Sequence, residues 1–536
     1  MHVEIVLLLL FAVATAVALL TIRLKVPYTV ALVVAGLGLG SLHLIEPIHL
    51  TQELLYAVIL PGLLFEAAFH LNFHDFWQNR MAISSLAIIG VVVSILVTAS
   101  ILYSFTGIVA VLHGLPFSTA LVFGAIVAAS DPIAVVALFK SVGAPKRLRV
   151  LVEGESLLND GTSLVLFTLI VASVGGGAIS IPAVIQDFIR IVGLGLMVGT
   201  LCGVVISWVI SRVDHPMIEI TLTTLAAYGS FVSAELVHGS GVIAAVAAGM
   251  VCGNYGVRTG MSPTTRIAVE TFWEYAAFAL NSIVFLLIGF EVRIGSLFDL
   301  WLPILVAYLA MTAARMLLVG VISLLLRPTR ESIPWSWSGV MVWAGMRGAL
   351  SMVLVLGLSN SFASRELLVT ITFGVVVLTI LLQGLTMAPL LRVLGIASGG
   401  EERFDYEVGR GALVAIRSAM KEIDRMSHEF AVPPGILETL RYEYQQRQQE
   451  AEEKIQRMHV EKEAIREEEL EAARRHLLLS EKHALIEDLR TGYIGQDAYE
   501  ELLREVDSRL LHLEETPEER QESASRPGHR HHSEDD

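Results

Sequence analysis

The sequence predicts an all-α polytopic membrane protein of about thirteen transmembrane helices, followed by a soluble helical C-terminal domain. Three observations carry that prediction. The 536-residue chain is 54% hydrophobic and only 17% charged, with a mean hydropathy of +0.64, against about 45–50% and about 25% in soluble domains. Its apolar residues gather into runs near the length of about 20 residues that a helix needs to cross a hydrocarbon core. Its charges are split: residues 1–400 hold 18 Lys and Arg against 19 Asp and Glu, and residues 401–536 hold 20 against 34. The net charge of -15 therefore belongs almost wholly to the tail, and offers no basic surface for nucleic acid. Two cysteines exclude a disulfide framework or a Cys-rich metal centre.

In chain order the apolar runs cover 4–22, 27–44, 52–70, 81–107, 115–140, 148–175, 184–211, 217–236, 239–256, 270–291, 299–326, 334–360 and 364–394. Several exceed 22 residues, which predicts tilt. Only Val237–Ser240 separates the eighth run from the ninth. In lipid each backbone must satisfy its own polar groups, which favours a helical bundle over an open sheet. Alternate loops sort the basic residues into Arg23, Lys25, Arg80, Lys140, Lys146, Arg147, Arg149, Arg212, Arg258, Arg266, Arg327 and Arg330 on one side. Only Arg190, Arg293 and Arg365 fall on the other. The positive-inside rule places the first group in the cytoplasm, the N-terminus outside and the tail inside a cell membrane. Glu4 opens the first apolar run, with no Lys or Arg before it, so this run reads as a retained span rather than a cleaved signal. The domain division expected is 1–398 in the bilayer, 399–520 as cytoplasmic helices, and 521–536 as a disordered end carrying His529, His531 and His532. Within 399–520, the segment 491–495 (TGYIG) reads as a turn, and without a sustained heptad a short bundle is preferred to a long coiled coil. The tail's histidines and carboxylates suit either a pH-responsive element or a plain solvated cap.

Ionisable side chains inside spans cost about 2.5–3.5 kcal/mol each on insertion scales, so they direct attention to function. The deep ones are Glu66, Asp131, Glu155, Asp160, Arg315 and Arg347. The densest cluster is Glu153-Gly-Glu155-Ser156-Leu-Leu-Asn159-Asp160 in the sixth run. Helical spacing puts Glu155 over Asn159 and Ser156 over Asp160, all on one broad face.

Two runs are interrupted. Ser130-Asp131-Pro132 breaks the fifth, because proline lacks an N–H and clashes with the carbonyl four residues back. Gly345-Met346-Arg347-Gly348 weakens the twelfth. With the seventh run as connector, these are the fifth helices of two inverted six-helix halves, the pattern of secondary-transporter binding sites. Asp131 and Arg347 are then placed to neutralise the exposed ends of the partner half-helices. Arg315 cannot deprotonate and needs a carboxylate, for which Glu155 is the choice. Asp160 is left without an assigned counter-ion. A carboxylate so placed holds either a proton or a hard cation, with oxygens from Ser130, Ser156 and Asn159 completing the shell. The chain carries no Walker-type phosphate loop, so the energy source expected is an ion gradient and no cofactor is called for.

The segments SDPIAVVALF, GESLLNDGTS, AARMLLVGV and GMRGALSM, with FWEYAAFALNSIVFLLIGFEV and SAELVHGSGVIAAVAAGM, resemble the Na+/H+ exchangers of the NhaP and eukaryotic type, within the monovalent cation/proton antiporters. The resemblance covers about residues 5–395. It implies a thirteen-helix antiporter with a dimerisation part and a moving core, a homodimer in the bilayer, and Na+ or Li+ exchanged for H+. It implies that Asp160 binds the ion and that Asn159 precedes it as in the electroneutral, one-for-one branch. It further implies that Glu155–Arg315 is a buried ion pair, that Asp131 and Arg347 are compensating charges, and that Glu66 is an acid near the site. Ser130 stands where relatives often carry Thr. Two other readings of the residues remain: a K+/H+ antiporter, since the ligands do not set ion size, and an intramembrane aspartyl protease, against which stand the nearby arginines and the absence of a G-x-G-D context.

Overall fold

A computed structural model describes residues 3–24, 27–41, 55–176, 181–257, 260–291, 294–329, 331–362, 364–396, 400–429, 433–461, 463–491 and 493–514. Every regular element among the described residues is helical. In order these are α1 (Val3–Leu24), α2 (Tyr28–Ser41), α3 (Leu60–His70), α4 (Phe73–Gln78), α5 (Arg80–Ser84), α6 (Gly90–Ser104), α7 (Phe117–Ile126), α8 (Ile133–Val142) and α9 (Lys146–Gly176). There follow α10 (Ile181–Ile210), α11 (Pro216–Leu236), α12 (Gly241–Val251), α13 (Pro263–Glu291), α14 (Ile294–Asp299), α15 (Trp301–Leu326), α16 (Trp335–Trp343), α17 (Ala349–Leu356) and α18 (Arg365–Val393). Single π-helical turns at Leu55–Ile59, Ser85–Ile89 and Cys252–Gly256 adjoin α3, α6 and α12; a sequence pattern carries no signal for them.

Each predicted apolar run contains helix among its described residues, and the fifth and twelfth are interrupted. By length and composition, seven described helices are able to cross a membrane: Arg80–Gly107, Lys146–Val174, Pro182–Ile210, Pro216–Leu236, Thr264–Phe290, Trp301–Leu326 and Arg365–Val393. Leu10–Thr21, Tyr28–Gly40, Leu55–His70, Phe117–Ile126 and Gly241–Gly256 are shorter apolar helices. The boundary between the eighth and ninth runs falls at 237–240. There His238 takes a positive φ of 59°, and Ser240 caps α12 by accepting from the Ile243 N–H at 3.3 Å.

The fifth and twelfth runs are each split. α7 and α8 are separated by 127–132, with Pro132 directly before α8. α16 and α17 are separated by 344–348. A half-helix of 8–10 residues rises only about 12–15 Å, roughly half a hydrocarbon core. Its inner end must therefore find partners within the protein. α8 itself stops at Gly143, whose φ of 66° supplies the left-handed cap.

Packing in this bundle rests on contact and hydrogen bonding, because lipid tails are as apolar as the buried side chains. α13 lies against α2, α3 and α11, while α9 packs on α7, α10 and the π-turn at Ser85–Ile89. Buried Trp273 of α13 sits on Phe65 of α3 and donates its indole N–H to Thr223 of α11 at 3.1 Å.

The chain divides into two compact units, Met1–Gly400 and Glu401–Asp536. The second consists of α19 (Gly400–Glu429), α20 (Pro434–Glu461), α21 (Glu463–Thr491) and α22 (Gln496–Glu514). Arg441 of α20 reaches Asp424 of α19 at 2.6 Å, and α21 and α22 pack together across the turn sequence at 491–495. Residues 515–536, with His529, His531 and His532, lie outside the described residues.

Candidate functional site: two broken helices and an acidic cavity

The site is built where the two broken helices meet. Their extended inner segments touch backbone to backbone, the Asp131 N–H donating to the Met346 carbonyl at 2.7 Å. Side chains then satisfy the exposed half-helix ends. Arg347, 1% exposed, donates Nη1 to the carbonyls of Ala128 and Ala129 at 2.6 and 2.7 Å, just past the C-terminal end of α7. Ser351 of α17 adds a bond to the Ile126 carbonyl at 2.8 Å. Positive charge and donors are what a helix C-terminus favours. Asp131 does the converse. Its carboxylate accepts from the Ile133 N–H at 3.1 Å and from the Ala349 N–H, the first residues of α8 and α17. One acid thus serves two helix N-termini. Asp131 and Arg347 form no ion pair with one another among the described residues.

Two glycines permit the crossing. A Cβ on Gly348 would overlap the Asp131 carboxylate, and one on Gly345 would meet the Arg315 side chain at 2.5 Å. Arg315, on α15, donates Nε to the Met341 carbonyl at the end of α16 at 3.1 Å. Its two remaining nitrogens bond both Glu155 oxygens, at 2.7 and 2.9 Å. Glu155 and Arg315 are 1% and 5% exposed. A planar guanidinium matched to a carboxylate in this way meets the demand that a buried charge be both paired and hydrogen-bonded.

One helical turn beyond Glu155, the polar face of α9 closes on the first break. Ser156 donates to the Ser130 carbonyl at 2.5 Å, and Asn159 donates its amide to the Ser130 hydroxyl at 3.0 Å. Ser163 donates to Asn159 Oδ1 at 3.2 Å. Asn159 is therefore held at both ends of its amide. Asp160 is not. Its Oδ1 is buried with no hydrogen-bond partner among the described residues. It is not without a neighbouring cation, however: Arg347 acts on it electrostatically, alongside Asp131 and Glu155. The guanidinium is close enough to be felt, but its hydrogen bonds go to Ala128, Ala129 and the Met311 sulfur.

Asp160, Asp131, Ser130 and Ser156 line one cavity of about 510 Å³. Glu66 of α3 lines it as well, with its carboxylate 3.2 Å from His70 Nδ1. So α9 and the first break bring Asp160, Ser156 and Ser130 to the cavity, Asn159 bonds the Ser130 hydroxyl without lining it, and Glu66 faces the same space from another helix. Asn159, Glu155, Arg315 and Arg347 are absent from the cavity lining.

Several contributing residues escape a sequence reading. Ser351 and Ser163 are serines one turn from named residues, and nothing in their spacing distinguishes them from helix-packing hydroxyls. His70 is four residues from Glu66, an i,i+4 pair visible in retrospect. Asn281 of α13 also lines the cavity and, being uncharged, does not stand out in a run that also holds Glu270 and Glu274.

A family model described as the transmembrane sodium/hydrogen exchanger matches residues 7–393. The Na(+)/H(+) antiporter ApNhaP of Aphanothece halophytica is 39% identical over 415 residues, which are 77% of each chain. The low-affinity Na(+)/H(+) antiporter NhaS1 of Synechocystis is 36% identical over 437 residues, 80% of this chain and 81% of that one. The solved sodium proton antiporter MjNhaP1 of Methanocaldococcus jannaschii has the same fold, with a TM-score of 0.59 at 20% identity over 72% of this chain and all of that one. With the family model spanning most of its length and these relatives covered over more than two thirds, this chain belongs to the transmembrane sodium/hydrogen exchanger family.

Proposed function

We propose that this protein exchanges Na+ or Li+ for H+ across a cell membrane, driven by the ion gradients themselves and without a cofactor. The observation that carries the reading is Asp160: a carboxylate with an unpartnered buried oxygen, in a cavity, at the crossing of two broken helices. A buried acceptor without a donor calls for an ion, a proton or water. Ser130, Ser156 and Glu66 offer further hard oxygens, which suit a small alkali cation. The cation and the proton compete for one carboxylate, so that each leaves as the other binds. The Glu155–Arg315 pair and the capped half-helices form the rigid frame around that exchange.

In this reading the cavity opens to one side at a time, and the halves 1–6 and 8–13 are inverted repeats. Asn159 in place of a second acid leaves a single exchangeable carboxylate on this part of α9, which favours one Na+ per H+ and electroneutral turnover. The protein works as a homodimer. Orientation has its own support. Arg80, Arg147, Arg212 and Arg327, all from the basic-rich set of loops, lie over Trp77, Trp337, Trp208 and Trp335 at 5.1, 5.8, 3.8 and 5.0 Å. Stacked Arg and Trp suit a membrane–water interface, here the cytoplasmic one, and the unit 401–536 follows on that side.

The test is reconstitution in vesicles with a pH-sensitive dye inside. After a pH gradient is imposed, added Na+ or Li+ is expected to change internal pH. Asp160→Asn is expected to abolish the change while eluting as folded protein. No cation-dependent signal at any pH overturns the reading, and a response to K+ alone replaces it with K+/H+ exchange.

A further inference from the structure

From the wall of the cavity formed by α13, we infer that Asn281 is a cation ligand and a selectivity-determining residue of the exchange, supplied from a helix other than the one bearing Asp160. The inference rests on the Na+/H+ reading above and extends it to a residue outside the α9 cluster.

Asn281 is the buried polar residue of α13 that faces this cavity. It is 8% exposed, it lines the cavity with Asp160, and its Oδ1 has no hydrogen-bond partner among the described residues. An amide so placed is costly. A buried polar atom left without a partner forfeits about 1–3 kcal/mol, and a leucine would fill the same volume without that penalty. Asp160 Oδ1 is in the same condition in the same cavity. Two unpartnered buried oxygens sharing one space are what a site looks like when its ligand is what completes the bonding. A neutral amide oxygen beside a carboxylate is an ordinary donor combination for a hard cation. It adds coordination without adding a charge that would hold the ion too tightly for release.

The geometry of α13 supports the same role. Glu274, Ala277 and Asn281 all line the cavity, at spacings of three and four residues that define one helical face. The small Ala277 between two polar side chains leaves room along that face. Glu274 supplies negative charge on the same stripe, seven residues from Asn281. α13 belongs with α2, α3 and α11 by its packing, whereas α9 belongs with α7 and α10. The two ligands therefore come from helices whose main packing partners differ, although both also touch α3 and α17. Any movement of the α9 group relative to α13 changes the distance between Asn281 and Asp160. Asn281 then contributes to cation binding in the arrangement described here and is withdrawn when the groups shift.

The experiment uses the full chain in proteoliposomes, with Na+ and Li+ titrated separately. Wild-type protein must first show cation-dependent proton movement; failure here sinks the Na+/H+ reading itself. Given that activity, Asn281→Ala is expected to raise the half-saturating Na+ concentration by about tenfold, as for a lost bond to a charged group, to change the Li+/Na+ ratio, and to leave the maximal rate within about twofold. Asn281→Ser, which keeps an oxygen, is expected to recover part of the affinity. Should Asn281→Ala fail to fold, Asn281→Ser and Asn281→Thr carry the test through the change in the Li+/Na+ ratio. Half-saturation and ion ratio unchanged in the folded variants, or a fall in maximal rate alone, overturns the inference and makes Asn281 a packing residue.

Discussion

Arg315 and Glu155 form a two-pronged ion pair between α15 and α9, with nitrogen–oxygen distances of 2.7 and 2.9 Å, while Arg315 Nε also holds the Met341 carbonyl at 3.1 Å. A single guanidinium thus ties the helix bearing Asp160 to the inner end of α16. The pair lies outside the cavity lining, and its job is to fix the frame.

Removing one member of that pair leaves a buried charge and an open helix end. Arg315→Ala is expected to cost about 3–5 kcal/mol. The measurement is the fraction of monodisperse protein after heating in detergent. Arg315→Lys keeps the charge but not the planar fork, and is expected to lower the melting point by less.

Gly348→Ala introduces a methyl group where the Asp131 carboxylate already lies. Because Asp131 caps both α8 and α17, the clash loosens two helix ends at once. Overpacking of this kind costs about 1–3 kcal/mol. The expected outcome is a lower melting temperature together with a large loss of transport. Normal transport with unchanged stability would mean that the crossing tolerates a different path.

The proposed competition between the cation and the proton for Asp160 sets the sign of the expected pH effect. Lower pH populates the protonated carboxylate, which cannot ligate Na+. The half-saturating Na+ concentration is therefore expected to rise as pH falls on the side where Na+ binds, with the maximal rate less affected. A half-saturation that stays constant across the pH range of activity counts against a shared carboxylate.

Electroneutral exchange predicts indifference to voltage. With K+ and valinomycin clamping the membrane potential, the initial rate of Na+-driven proton movement is expected to be the same at either polarity. Asn159→Asp adds a second acid within the bonded network of Ser130 and Ser163; if that variant transports, it is the one expected to become voltage-sensitive.

The orientation predicts that the second unit faces the cytoplasm. Tyr493 is 84% exposed. In a Cys202→Ala, Cys252→Ala background, Tyr493→Cys is expected to react with a membrane-impermeant maleimide in inside-out vesicles and to be protected in right-side-out ones. Labelling in the reverse pattern would invert the whole topology.

The sequence by itself determined the helical membrane class, the position of every apolar run and both breaks, because hydropathy, proline and glycine act locally on the chain. It also marked Asp160, Glu155, Arg315, Asp131 and Arg347, since an ionisable group in an apolar run is conspicuous wherever it ends up pointing. Only the tertiary structure decided what each of them touches. That Asp131 caps two helices at once, that Arg347 gives its Nη1 to two backbone carbonyls while standing near Asp160, and that Asn281 shares a cavity with Asp160 from 121 positions away in the chain all follow from helices meeting across long sequence separations. Ser351, Ser163 and Asn281 look like unremarkable packing residues in one dimension. They acquire a role only once two half-helices cross and a cavity forms between neighbouring walls, because a hydrogen bond or an unpartnered oxygen is a property of a pair of positions in space, and no local pattern encodes it.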